Sequence, residues 1–197
     1  MKGQKKGPIT VADAIAEMNA DEAWVARQKA KDQEREARAS QLRIEQQPLL
    51  AELRSVGWPV NSVWDLVNTG EKYEAAIPVL LKHLVLPYSD LIRGGIARSL
   101  AVRYARSAWP LLVAEYRKEP MCDDQLGAKF GLAVALSVTA TPDVIEELAA
   151  LARDRSQGPS RAFFIKRLKK SKTAVAKEAL QDLASDPELR KEVLSLN

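Results

Sequence analysis

A chain of 197 residues suits one domain plus an extension, or two small units; at 46% hydrophobic, 28% charged and 6% aromatic it carries enough apolar material for a helical core, and its shortage of β-branched runs argues against sheets. A single cysteine, Cys122, excludes a disulfide framework and a thiolate metal cluster. The net charge of +4 is unevenly spread: residues 153–177 hold nine Lys/Arg against one acid, Asp154, so the rest of the chain is acidic overall.

Residues 1–8 (MKGQKKGP) read as a flexible basic tail, without the apolar run that a signal peptide would need. The longest uncharged stretch, 130–142, is too short to span a bilayer, so no membrane role is expected and a cytoplasmic protein is the default. Thr10 with Asp13 resembles a capping box ahead of Val11, Ala14, Ile15 and Met18, which predicts a short amphipathic helix. Asn19 or Asp21 is placed to cap a second helix starting near Glu22. Between Ala26 and Gln41 there is no Leu, Ile, Val, Met or aromatic residue, only strong helix formers with pairs such as Glu34 and Arg38. A solvated connecting helix is expected there, since the a and d positions of a coiled coil are missing. Trp24, beside Val25 and downstream of Ile15 and Met18, completes a small apolar cluster that either folds back or docks on a partner.

Leu49, Leu50, Leu53 and Val56 follow Pro48 at helical spacing and stop at Gly57. Asn61 or Ser62 is positioned to cap a short helix through Trp64 and Val67 that ends at Thr69-Gly70. Beyond this pair a repeat begins. Pro78, Pro110 and Pro142 stand 32 residues apart, each opening the same apolar stripe: Leu80, Leu81, Leu84; then Leu112, Val113, Tyr116; then Val144, Ile145, Leu148. A period of that length marks stacked helical hairpins. First helices are expected near 71–85, 108–118 and 142–153, and second helices near 91–104, 125–138 and 160–170. A further helix over 174–184 and a short closing helix from Asp186-Pro187 to Leu196 complete the chain. Gly94, Gly95, Gly127 and Gly131 fall in second helices, which suits a tightly packed inner layer.

The segments AAIPVLLKHL (75–84) with DLIRGGIARSLAV (90–102), SAWPLLVAEY (107–116) with DQLGAKFGLAVAL (124–136), and TPDVIEELAALARD (141–154) resemble HEAT-like repeats of the armadillo/HEAT class, over roughly 48–196. Arg93 matches a position where such repeats often carry arginine. The whole chain is similar to small bacterial HEAT-repeat proteins with a charged N-terminal helix. The expectation is thus an all-α chain: an α-solenoid of four to five stacked hairpins over 48–197, preceded by an extended helical arm within 1–47.

Catalytic constellations are thin. His83 is the only histidine and has no Ser or Cys at motif spacing, so a structural or surface role is expected. Cys122 reads as an incidental loop residue and Asp123-Asp124 as an N-cap. No catalytic residue, metal or cofactor is expected. The sharper signal is the basic segment, where Arg161, Lys166, Arg167, Lys169, Lys170 and Lys172 surround Phe163, Phe164, Ile165 and Leu168. There the aromatics are expected in the core and the cations on a ridge that is a solvated face, or meets an acidic protein or nucleic-acid phosphates. Arg98, Arg103 and Arg106 add charge earlier, at helical angles that do not make one stripe with Arg93. The expected function is a non-enzymatic protein–protein interaction module (adaptor, scaffold or immunity-type inhibitor), with nucleic-acid binding through 153–177 as the alternative. Candidate interface residues are Arg93, Arg98, Arg161, Lys166, Arg167, Lys169, Lys170, Lys172 and Trp24.

Overall fold

The computed structural model describes residues 10–11, 21–121 and 124–195, and all regular structure among them is helical. Packing divides the chain into two units, 1–44 and 45–197. The first unit is built on α1 (Glu22–Glu45), where no side chain is buried, as its lack of an apolar face predicts. Asp21 caps it, its Oδ1 accepting from the Ala23 and Trp24 amides at 3.0 Å each. The tail 1–8, all but the first residue of the helix expected over Val11–Met18, and Cys122-Asp123 lie outside the described residues.

The second unit contains α2 (Gln47–Ser55), α3 (Val63–Asn68), α4 (Ile77–Leu84), α5 (Asp90–Ser99), α6 (Trp109–Lys118), α7 (Ala128–Thr139), α8 (Ile145–Arg153), α9 (Ala162–Lys169), α10 (Ala174–Leu183) and α11 (Arg190–Leu194). Local sequence accounts for most of these limits. Gly57, at φ +90°, follows α2 in a conformation that suits glycine. Ser62 and Asp65 form a capping box on α3. Pro78 and Pro110 occupy the first turns of α4 and α6. Pro142 instead opens a 3-10 turn (Pro142–Val144), and α8 begins after it.

Three further boundaries differ from expectation. The helix expected from residue 71 begins at Ile77, after a 3-10 turn, Glu74–Ala76. The helix expected to reach Tyr104 stops at Ser99, because Val102 is extended (φ −130°, ψ 145°) and a separate 3-10 helix, Arg103–Ala108, follows. The helix expected from Gln125 starts at Ala128. Its first amide donates to Asp90 Oδ1 across 2.8 Å, so the cap comes from the preceding hairpin and not from neighbouring sequence.

Within this unit α5 touches α3 and α7, and α9 touches α7 and α11, so the odd-numbered helices form a row. Successive helices also pair, α4 with α5, α6 with α7 and α8 with α9. Leu80, Ile96, Leu112, Leu132, Leu136, Leu148 and Phe164 fill the space between them at 0% exposure or nearly so. Trp109 ties α6 to α8 through Nε1, which donates to Glu147 Oε2 at 2.7 Å.

Several charged side chains sit inside this core, among them Lys129, Arg161 and Asp186. Lys129 on α7 is only 2% exposed. Its ammonium donates to the carbonyls of Tyr116 (2.7 Å) and Glu119 (3.0 Å) and to Gln157 Oε1 (2.6 Å), 4.1 Å from the centroid of the Tyr116 ring. Three donors meet three acceptors, which is what allows the charge to be buried. Burial is nonetheless the largest influence and pushes its pKa down to about 8, against the opposing pull of Glu119 and Asp154. An unfolded lysine keeps its proton to about pH 10.4. Above about pH 8 the unfolded state therefore holds more protons at this site, and stability from Lys129 rises with pH. Urea unfolding of Lys129→Met and the natural protein should show the natural protein gaining on the variant between about pH 7.5 and 9.5. A stability difference that stays flat over that range contradicts the assignment.

Candidate functional site

The face of α9 is set by which of its residues are buried. Phe164, Ile165 and Leu168 enter the core, which turns Phe163, Lys166, Arg167 and Lys170, at i, i+3, i+4 and i+7, to one outward stripe. Phe163 is 38% exposed. That corrects the expectation that both phenylalanines pack inside: the buried face of α9 is centred on Phe164, Ile165 and Leu168, and Phe163 falls outside it. The Phe163 ring is braced by Phe130, edge to face, with centroids 6.0 Å apart at 85°.

Arg103 and Arg106 supply the opposite wall. They stand three residues apart in a 3-10 segment kinked at Ala105, and both side chains line the groove. Between the walls, Ser137, Val138 and Ala140 at the end of α7 provide a floor. The result is an open groove of about 720 Å³ with five cations, Arg103, Arg106, Lys166, Arg167 and Lys170, and no carboxylate in its lining. Arg167 is fixed at its edge by Nε, which donates to the Ala140 carbonyl at 3.0 Å.

Two further hollows adjoin the groove. One, of about 420 Å³, shares Val138 with it and is bounded by Tyr73, Tyr104 and Arg98. The other, of about 410 Å³, shares Arg167 and Lys170 and adds Lys172. Together they follow the C-terminal ends of α3, α5, α7 and α9, where cations also offset the partial negative charge of the helix ends.

The remaining sequence candidates lie elsewhere. Arg161 was expected on the ridge but is 1% exposed. Its guanidinium donates to the carbonyls of Gly158 (2.9 Å) and Ala152 (3.1 Å), to Asp186 Oδ2 (3.0 Å) and to Glu188 Oε2 (2.6 Å). Arg93 is turned to Glu115, 3.3 Å away, and to Glu119, bridging α5 and α6. Lys169 donates to the carbonyls of Glu192 and Ser195, both at 2.7 Å, at the end of α11. Arg98 donates to the Gln125 carbonyl, and burial lowers its pKa. Trp24 is partly buried on α1, in the other unit, and its expected partners Ile15 and Met18 are outside the described residues.

Among the described residues no three His, Cys, Asp or Glu side chains group as metal ligands. His83 is buried on α4, its Nδ1 2.7 Å from the Tyr88 hydroxyl and its Nε2 3.3 Å from Glu52 Oε1. No helix among the described residues is long and apolar enough to cross a membrane. Comparison of the chain with protein-family models, with curated proteins and with solved structures finds no match.

Proposed function

We propose that this chain is a HEAT-like α-solenoid of five hairpins with a helical arm, which works by binding an anionic partner in the groove between Arg103/Arg106 and Lys166/Arg167/Lys170. Four helix pairs are in contact, α4–α5, α6–α7, α8–α9 and α10–α11, and α2 and α3, which pack on α4 and α5 respectively, are taken as the fifth; the row of contacts among odd-numbered helices supports stacking of one on the next. Stacked hairpins hold a wide surface rigid before the partner arrives, so little ordering entropy opposes binding. A binding role, not a catalytic one, is favoured by the burial of His83, whose Nδ1 is engaged by the Tyr88 hydroxyl inside the protein.

The observation that carries the reading is the convergence of five cations from two separate segments with no carboxylate among them. Like charges gathered in one groove repel each other, and an anionic ligand relieves that repulsion as it binds. A protein partner, the first expectation from sequence, fits if its docking face is acidic; nucleic acid fits through its phosphates.

Inorganic polyphosphate titrated calorimetrically at low salt tests the groove itself. Lys166 and Lys170 both line the groove and are exposed, so Lys166→Glu with Lys170→Glu should keep the fold. Affinity is expected to fall at least about tenfold and the log–log salt dependence by about two. Unchanged affinity in a variant with native helical circular dichroism would refute the groove as the binding site.

A further inference from the structure

We infer that the anionic partner is a single strand of nucleic acid, with one base stacked on Phe163 and its backbone phosphates on the surrounding cations; this rests on the binding reading above. The cations alone do not choose among polyanions. Phe163 does. A benzene ring left 38% exposed is unusual company for five positive charges, and here it lines the same groove as all five. Its position on α9 is fixed, since Lys166 and Arg167 follow at i+3 and i+4, and Phe130 braces its ring.

An aromatic ring flanked by cations matches the chemistry of a nucleotide, whose planar base and charged phosphate are held a fixed short distance apart. Duplex nucleic acid offers only phosphates, because its bases are stacked on each other and present no free face. Acidic peptides supply carboxylates without a regular planar group beside them. The neighbouring hollow adds to the fit. It shares Val138 with the groove and is lined by Glu71 and by the half-buried Tyr104, whose ring packs edge to face on the buried Tyr73, so a strand leaving Phe163 meets one further aromatic side chain. At the other end Lys172 continues the positive charge past Lys170. This succession of hollows describes a track for a strand that is read by stacking and charge, with little dependence on base sequence.

The test uses the full chain, fluorescently labelled dT20, a 20-base-pair duplex and inorganic polyphosphate, followed by anisotropy or competition. Single-stranded dT20 should bind more tightly than the duplex, with a log–log salt slope near about 3.5 if all five cations are engaged. Phe163→Leu keeps an apolar contact for Phe130 but removes the ring. It should weaken dT20 about tenfold while leaving polyphosphate within about twofold. Lys166→Glu with Lys170→Glu should weaken both ligands. Tighter duplex binding, or dT20 affinity indifferent to Phe163→Leu, overturns the inference while the groove reading stands on its polyphosphate response. Polyphosphate binding without dT20 binding also overturns it, and polyglutamate then tests an acidic protein face. Failure of every polyanion to bind rejects both readings together.

Discussion

Arg161→Ala is expected to destabilise the second unit by about 3 kcal/mol or more, because it removes the main partner of a buried carboxylate. Asp186 is 3% exposed, and its charge is balanced by the Arg161 guanidinium 3.0 Å away, with Arg155 more distant at 3.4 Å. Burial is the largest influence on the Asp186 carboxyl and pushes it up, but the Arg161 hydrogen bond, the Glu188 amide and the nearby guanidinium charges together hold it below the usual carboxylate range. A carboxyl whose folded pKa is depressed contributes stability above its unfolded pKa and loses it as pH falls through the folded value. Removing Arg161 takes away the leading hydrogen bond and a nearby charge that offset burial, so the folded pKa moves up and the stability the carboxylate contributes above its unfolded pKa shrinks. The variant should accordingly be more damaged at neutral pH than in mild acid. For a chain of this size the melting temperature at neutral pH should fall by roughly 10–15 °C. Arg161→Met with Asp186→Asn should recover part of the loss, since removal of both charges is far less costly than removal of one. A variant within about 1 kcal/mol of the natural protein at pH 7 would show that the pair is not holding the last two hairpins together.

Gly94→Ala is expected to cost about 2 kcal/mol, although alanine is the better helix former by about 1 kcal/mol. A Cβ at Gly94 would overlap the Leu126 carbonyl oxygen and lie 2.8 Å from the Gly127 carbonyl carbon. Both are backbone atoms, so relief requires α5 and α7 to move apart. The approach is mutual: a Cβ at Gly131 would stand 2.6 Å from the Gly94 carbonyl oxygen. Since α7 forms the groove floor and the segment after α5 its Arg103/Arg106 wall, the same displacement should weaken polyphosphate binding. Gly70→Ala is the control, because nothing lies within 4 Å of its added carbon; it should stay within about 0.5 kcal/mol of the natural protein in urea unfolding. Equal stability of the two alanine variants would contradict the close contact of α5 with α7.

Several features of the fold were legible in the chain because they depend on neighbours three or four residues away. The capping box at Ser62, the stop after Gly57 and the proline starts of α4 and α6 all belong to this kind. The absence of an apolar face on α1 is another. The cap on Ala128 was not legible, because its acceptor, Asp90, is 38 residues away. The candidate site divides along the same line. The stripe of Phe163, Lys166, Arg167 and Lys170 satisfies helical spacing and was readable, had the phase of α9 been taken from Phe164, Ile165 and Leu168. Arg103 and Arg106 were not legible as one wall, because the α-helix expected through Tyr104 stops at Ser99 and a separate 3-10 segment carries both.

By itself the sequence determined an all-helical chain, the order and approximate limits of its helices, and a basic segment near its end, because periodicity, caps and charge counts are local properties. Tertiary structure alone decided which cations are available. Arg161, Lys166 and Lys169 are near neighbours in the chain, yet Arg161 is buried on Asp186, Lys169 is bound to the end of α11, and Lys166 faces an open groove. Their side chains leave the backbone at different angles, and each meets whatever the remote chain has placed there: a carboxylate, a row of carbonyl oxygens, or the guanidinium groups of Arg103 and Arg106. Charge is additive along a sequence, but its availability to a partner depends on these long-range neighbours.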